Sequence, residues 1–402
     1  MNKATLRATA AQACKHIDVG TAVKPRPLLN DPGYEKTLRT EFNAIVVEHH
    51  MKWAPLCQGL PGPLLDGVES GRVGRYDFHH CDLIVDYAIR YGMKVKGHVL
   101  VWHVTSPSWL EDMSADEIAE QMRRHIFTTM GHFRGRIKYW DVVNEALAPD
   151  GSLANNIFLR KLGPGYIEQA FRWAHEADPD AFLIYNDNKV EGCGLGQHSI
   201  KADKFYELLR DLKVQKRVPI HGAGIQAHFN AAGVGLQRPP TPMAVKRQIR
   251  RLGELGLRVN ISEFDVRVSK LPADDNLRKC AQREIYRDIV AAALSEPSFD
   301  GVWLWGFTDK HTWVKDFYYE DEPLIFDDQY RRKGSFNALH EAIQTLCIGG
   351  VVGGGFSLSD EAQPWGHEWM QPEPETSGDL EDNAAGIASG DSAPDWLLKE
   401  DC

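Results

Sequence analysis

Short runs rich in β-branched and aromatic residues recur along the chain, and helical patterns lie between them. The runs cover residues 17–23, 42–47, 95–102, 137–143, 181–185, 222–227, 257–264 and 301–307. Amphipathic segments fall at 81–90, 115–130, 166–177, 202–212, 243–255 and 281–294. In the first of these, Leu83, Ile84, Tyr87 and Ala88 stand at helical spacing. Ser114 followed by Glu117 reads as a capping box that opens the second. Strand alternating with helix predicts a parallel sheet. Eight such units predict an α/β fold of the (β/α)8 TIM-barrel type rather than an open doubly wound sheet. No glycine-rich phosphate loop follows the first run, which counts against a dinucleotide-binding fold.

The pattern changes near the C-terminus. Residues 1–348 read as one barrel domain, and 349–402 as an acidic Gly/Ser/Pro-rich tail expected to be disordered. The charge follows this division. Twelve of the 56 acids and one of the 46 bases lie in 348–402, so the net charge of -10 belongs to the tail. The near-neutral body gives no reason to expect nucleic acid as a partner. No stretch is long and apolar enough for a transmembrane helix, so no membrane partner is expected. The N-terminus lacks a continuous apolar region and does not read as a signal peptide. An intracellular protein, or a leader absent from this sequence, would account for that; the compartment stays open. The seven cysteines are scattered without a CxxC pair, which reads as free buried thiols.

In an eight-fold barrel the working residues sit at the C-terminal ends of the strands. Those ends carry Glu48-His49-His50-Met51-Lys52-Trp53; His98, Trp102 and His103; Asn144-Glu145; Tyr185-Asn186-Asp187; Gln226-Ala227-His228; Glu263-Phe264-Asp265; and Trp303-Leu304-Trp305, with Trp313 beyond. Glu145 and Glu263 end the fourth and seventh runs. Cleavage of a glycosidic bond needs such a pair, one to protonate the leaving oxygen and one to act ionised. Either glutamate alone would read as a solvated loop acid. Five histidines near the same mouth could instead suggest zinc, but HxH pairs are absent. No metal and no cofactor are expected.

Several ordered runs resemble family 10 glycoside hydrolases, mainly endo-β-1,4-xylanases. They are Gly97-His98 through Trp102-His103, Trp140-Asp141 through Asn144-Glu145, Gly222 through Gln226-Ala227-His228, Ile261-Ser262-Glu263-Phe264-Asp265, and Trp303-Leu304-Trp305 through Lys310. Early matches at Leu28–Asp31 and Met51-Lys52-Trp53 extend the likeness over about residues 4–346. The resemblance implies a retaining hydrolase of internal xylan bonds acting by double displacement. Glu145 would be the acid/base and Glu263 the nucleophile. Asn144, His98 and Gln226 would hold the sugar at subsite −1, and Trp102, Trp305 and Trp313 would wall it. Lys52 and Glu48 would reach the −2 sugar. His228 would bond Glu263 while Asp265 orients it. A polysaccharide, xylan or a related β-glycan, is the implied partner, and the chain is expected to act as a monomer.

The sequence departs from the family pattern in three places. His49 replaces an Asn that contacts the −2 sugar. Asn188-Lys189 stands where Tyr-Asn is common, on the +1 side. The Gly/Pro-rich segment 58–75 is longer than the usual connection. A hydrolase of cellulose or mixed-linkage glucan, or a catalytically silent glycan-binding or inhibitor barrel, are the alternative functions.

Overall fold

A computed structural model describes residues 4–57, 76–193, 197–233 and 238–349. The segment 58–75, and the tail beyond Gly349, lie outside the described residues. The strands are β1 (Asp18–Val23), β2 (Ala44–Val47), β3 (Lys94–Val101), β4 (Tyr139–Asn144), β5 (Phe182–Asp187), β6 (Gly222–Ile225), β7 (His228–Asn230), β8 (Arg258–Arg267) and β9 (Phe299–Leu304). Every pairing is parallel, β1 joins β9, and β6 joins β8, so the sheet closes. The architecture is the expected (β/α)8 barrel, with each of the eight runs present and its ends moved by a few residues. The strands are apolar on both faces, as in Ala44-Ile45-Val46-Val47, because helices cover the outside and side chains fill the inside.

The strand expected at 222–227 differs in detail. It breaks after Ile225, and Ala227 turns through the left-handed region at φ 66°. The chain then resumes as β7, which pairs with Asp265-Val266-Arg267 at the far end of β8. The run expected to reach Phe307 ends at Leu304, before Gly306 turns at φ 94°.

The outer helices follow the expected pattern. Ala115–Phe133 opens on the Ser114/Glu117 capping box and buries Ile118, Met122, Ile126, Met130 and Phe133 along one face. Tyr166–Ala177 matches its expected span, and Asp275–Leu294 begins two turns earlier than its apolar spacing suggested, capped by Asp274. The N-terminal helix Leu6–Ala11 meets the last helix, Gly334–Gly349, where Thr9 Oγ1 lies 2.9 Å from His340 Nε2. The cysteine expectation is corrected in part. Cys57, Cys81 and Cys193 are buried free thiols, but Cys14 and Cys280 are exposed, because they lie on outward faces of the helical layer and its N-terminal lead-in.

One glycine shows how tightly the barrel is filled. At Gly97 in β3 an added Cβ would stand 2.2 Å from the Trp140 ring, far inside van der Waals contact. The indole of β4 occupies the space that a side chain on β3 would take.

Candidate active site

The C-terminal strand ends converge on one mouth. Irregular register after His98 in β3, after Asp141 in β4 and after Ile261 in β8 shifts the strand just where the polar residues begin. Such bulges re-aim side chains beside active sites. Glu145 leaves β4 with φ 54°, a left-handed conformation that costs a non-glycine residue about 1 kcal/mol or more. Its amide donates to the Asn186 carbonyl at 3.0 Å, which holds the turn.

The two glutamates have different surroundings. Glu145 is half-buried; its Oε2 accepts from Trp102 Nε1 at 3.0 Å and its Oε1 from Gln226 Nε2 at 2.7 Å. Glu263 is 5% exposed; its Oε1 accepts from Asn186 Nδ2 at 2.7 Å, and its Oε2 lies 3.2 Å from His228 Nε2. An amide bridge joins the two carboxyls. Asn144 Oδ1 accepts from Gln226 Nε2 at 3.2 Å and from Asn186 Nδ2 at 2.9 Å, the donors that also serve Glu145 and Glu263. The Asn144 amide nitrogen has no protein partner among the described residues.

His228 sits between acids. Its Nδ1 is 2.7 Å from Asp265 Oδ2, which also accepts from Trp313 Nε1 at 2.8 Å. Burial alone would push this imidazole's pKa down. The Asp265 charge and the hydrogen bonds to Asp265 and Glu263 outweigh it and raise the pKa to about 10. Burial alone would likewise push Glu263 up. The His228 hydrogen bond and the surrounding positive charge win instead, and lower it to about 2. An ionised carboxylate beside an imidazolium is therefore the resting state of this half of the site.

The remaining expected residues fall around the same mouth. His98 is buried and its Nδ1 faces Asp141 Oδ2 at 2.9 Å, with Lys96 Nζ 3.3 Å from the same oxygen. Trp305 stands edge-on to His98 and His228. Lys52 is buried with its Nζ 4.8 Å from the Trp102 ring and 5.7 Å from that of Trp305. Burial lowers the Lys52 pKa against the pull of Glu263, Glu48 and Glu145. Burial also raises Glu48, against Lys24, whose Nζ is 3.5 Å away, and Lys52. His49 is half-buried, edge-on to His50, and burial lowers its pKa to about 3, so it is neutral at ordinary pH. Among the described residues, no three His, Cys, Asp or Glu side chains are grouped to hold a metal, and no helix is long and apolar enough to cross a membrane.

Two features were missed in the sequence. Asn186 bonds Glu263 directly and is itself held by Ser262 Oγ at 2.6 Å. Its place at the end of the fifth strand was a signal, but no role was assigned to it. Gln226 and Trp102 were assigned to the sugar, yet both donate to Glu145, an arrangement that depends on the break at Ala227 and on the turn at Glu145.

The sequence of residues 6–342 matches the model of Glycosyl hydrolase family 10. The chain is 34% identical to endo-1,4-beta-xylanase B of Thermotoga neapolitana, over 84% of this chain and 91% of that protein. It is 37% identical to a beta-1,4-xylanase of Dictyoglomus thermophilum, over 80% and 87%. Among solved structures, xylanase 10B from Thermotoga petrophila RKU-1 in complex with xylobiose superposes with a TM-score of 0.75 at 32% identity, covering 86% of this chain and 99% of that one. With its barrel, its paired glutamates and this match across nearly the whole described chain, the protein belongs to glycosyl hydrolase family 10.

Proposed function

We propose that this chain is a retaining endo-β-1,4-xylanase, with residues 1–348 as its catalytic domain and xylan as its polysaccharide substrate. The observation that carries the reading is the difference between the two carboxyls: Glu263 is held ionised by His228, while Glu145 is held by two neutral donors.

The chemistry follows from that difference. Glu263 attacks the anomeric carbon of the −1 sugar while Glu145 gives its proton to the departing oxygen. A covalent glycosyl-enzyme forms. Glu145 then takes a proton from water as the water attacks the same carbon, and the product leaves with its configuration retained. In this reading the Asn144 amide and His98 bond hydroxyls of the −1 sugar. Such bonds accelerate the reaction to the extent that they tighten as oxocarbenium character develops. Asn186 and His228 position Glu263, Trp102 and Gln226 position Glu145, and Asp265 orients His228. Trp305 and Trp313 wall the −1 sugar, and Glu48, His49 and Lys52 take the −2 sugar.

Product analysis on xylan, with a mixed-linkage glucan and cellulose alongside, tests the reading. The expected outcome is a ladder of xylooligosaccharides whose new reducing ends appear first as the β anomer by NMR. Initial appearance of the α anomer, or faster cleavage of glucan than of xylan, would contradict it.

A further inference from the structure

A buried ion pair closes the end of β5. Asp187, its last residue, is fully buried, and Lys201 of the helix Gln197–Arg210 is only 2% exposed. Lys201 Nζ donates to Asp187 Oδ1 at 2.8 Å and to Asn188 Oδ1 at 2.7 Å. Asp187 Oδ1 also accepts from the Asn188 amide at 2.9 Å. Its Oδ2 accepts from the Tyr185 hydroxyl at 2.9 Å and from the Leu147 amide at 3.3 Å. Taking two charges out of water is costly, and apolar residues of similar size often serve stability as well. A pair enclosed this completely points to another role.

Its position supplies one. Leu147 stands two residues beyond Glu145, on the turn that Glu145 opens at φ 54°, and the Asn186 carbonyl beside Asp187 takes the Glu145 amide. Asp187 therefore helps to hold the turn that carries the proton donor. It is also within electrostatic reach of it. Burial raises the Asp187 pKa, Lys201 opposes that, and the Glu145 charge adds to it. Burial lowers the pKa of His103, after β3, which Glu145 pulls up and Lys201 pushes down. Lys52 and Lys189 also face Glu145, with Glu191 beside Lys189, and burial keeps Tyr166 and Tyr185 protonated near Asp187. Among these cations, Lys201 is the one bonded to the carboxylate that holds the Glu145 turn.

We infer that Lys201 is a positioning residue for the proton donor: bonded to Asp187, it fixes the turn that carries Glu145 and cancels the Asp187 charge beside it. This deepens the function proposed above and rests on Glu145 as the acid/base. Asp187 alone would hold a proton on Glu145 by repulsion between like charges, and Lys201 alone would expel it. Double displacement needs Glu145 first as acid and then as base, so neither charge can stand without the other.

The test is kcat/KM against pH on phenyl xylobioside, whose poor leaving group needs the proton. The alkaline limb then reports loss of that proton from the free enzyme. Asp187→Asn leaves Lys201 uncompensated and should move the limb down by on the order of half to one pH unit. Lys201→Met leaves Asp187 uncompensated and should move it up by a similar amount. The double variant removes both charges and should return the limb to the parent's position. Lys201→Met risks the fold by stranding a buried anion; Asp187→Asn, which keeps an oxygen for the Leu147 and Asn188 amides, and the double variant keep the test intact. A pair with a merely structural role would lower kcat/KM at every pH and leave the limb in place. That result, or a shift of the same sign in Asp187→Asn and the double variant, overturns the inference. Glu145→Ala on the same substrate separates the two readings. Loss of the alkaline limb there, with no shift in the pair variants, sinks this inference alone. A limb that persists in Glu145→Ala overturns the acid/base assignment and this inference with it.

Discussion

Replacing His228 by Asn tests how Glu263 is kept ready. The substitution removes the imidazolium whose Nε2 lies 3.2 Å from Glu263 Oε2. Glu263 would then keep one neutral donor, Asn186, at a position only 5% exposed. Burial, which already pushes its pKa up, would be opposed only by the positive charge on the His98 and Lys96 side, and Asp265 would lose the cation that balances it. Ionisation of Glu263 should therefore move from about 2 to the ordinary 4.5 or above. At about 1.4 kcal/mol per pH unit, that difference is worth roughly 3 kcal/mol. The assay is kcat/KM against pH on an aryl xylobioside with a strongly acidic phenol as leaving group, so that little help from Glu145 is needed. This quantity reports the free enzyme's ionisations. The parent enzyme should stay level from pH 7 down to about pH 3.5 as far as Glu263 governs it. The variant should lose half its plateau at or above pH 4.5, and roughly nine-tenths of it one unit lower. A variant whose acid limb coincides with the parent's would refute the argument that His228 sets the charge of Glu263.

Three further outcomes follow from the same geometry. The folded pKa of Glu263 is lowered, so its contribution to stability is present above 4.5 and is lost as pH falls toward 2; that of His228 is raised, so its contribution is full below 6.5 and is lost as pH rises through about 10. The melting-temperature gap between parent and His228→Asn should thus be widest near pH 4.5–6.5 and narrow on both sides, and a gap independent of pH would contradict the pairing. Glu145→Ala should lose on the order of 10²–10⁴-fold on xylan but far less on an aryl xylobioside with a good leaving group. Added azide should restore turnover of that aryl substrate and give a β-glycosyl azide, whereas an α-azide would exchange the assigned roles. Gly97→Ala should destabilise the barrel by about 1–3 kcal/mol or prevent soluble expression, because its Cβ would meet the Trp140 ring; unchanged denaturant unfolding would show that the ring can yield.

The barrel was legible because its signals are local and repeated. Each buried strand is a short apolar run, each helix carries a stripe at its own period, and the Ser114/Glu117 box writes one helix start in two residues. The paired glutamates were legible because strand ends in this architecture face one mouth. The inner wiring was not. That Gln226 serves Glu145, that Asn186 serves Glu263, and that both meet on Asn144 depends on side-chain direction after a bulge and two left-handed residues, Glu145 and Ala227. Period-two reasoning stops at such breaks.

The most direct test of the double-displacement reading is to trap the covalent intermediate. A xylobioside carrying 2-fluoro substitution on the reacting ring and a dinitrophenyl leaving group should inactivate the enzyme, because the fluorine slows release of the glycosyl-enzyme more than its formation with so reactive a leaving group. Mass spectrometry should then find one fluorinated disaccharide per chain, attached to the peptide that contains Glu263. Inactivation without a mass change, or a label on Glu145 or any other residue, would contradict Glu263 as the nucleophile.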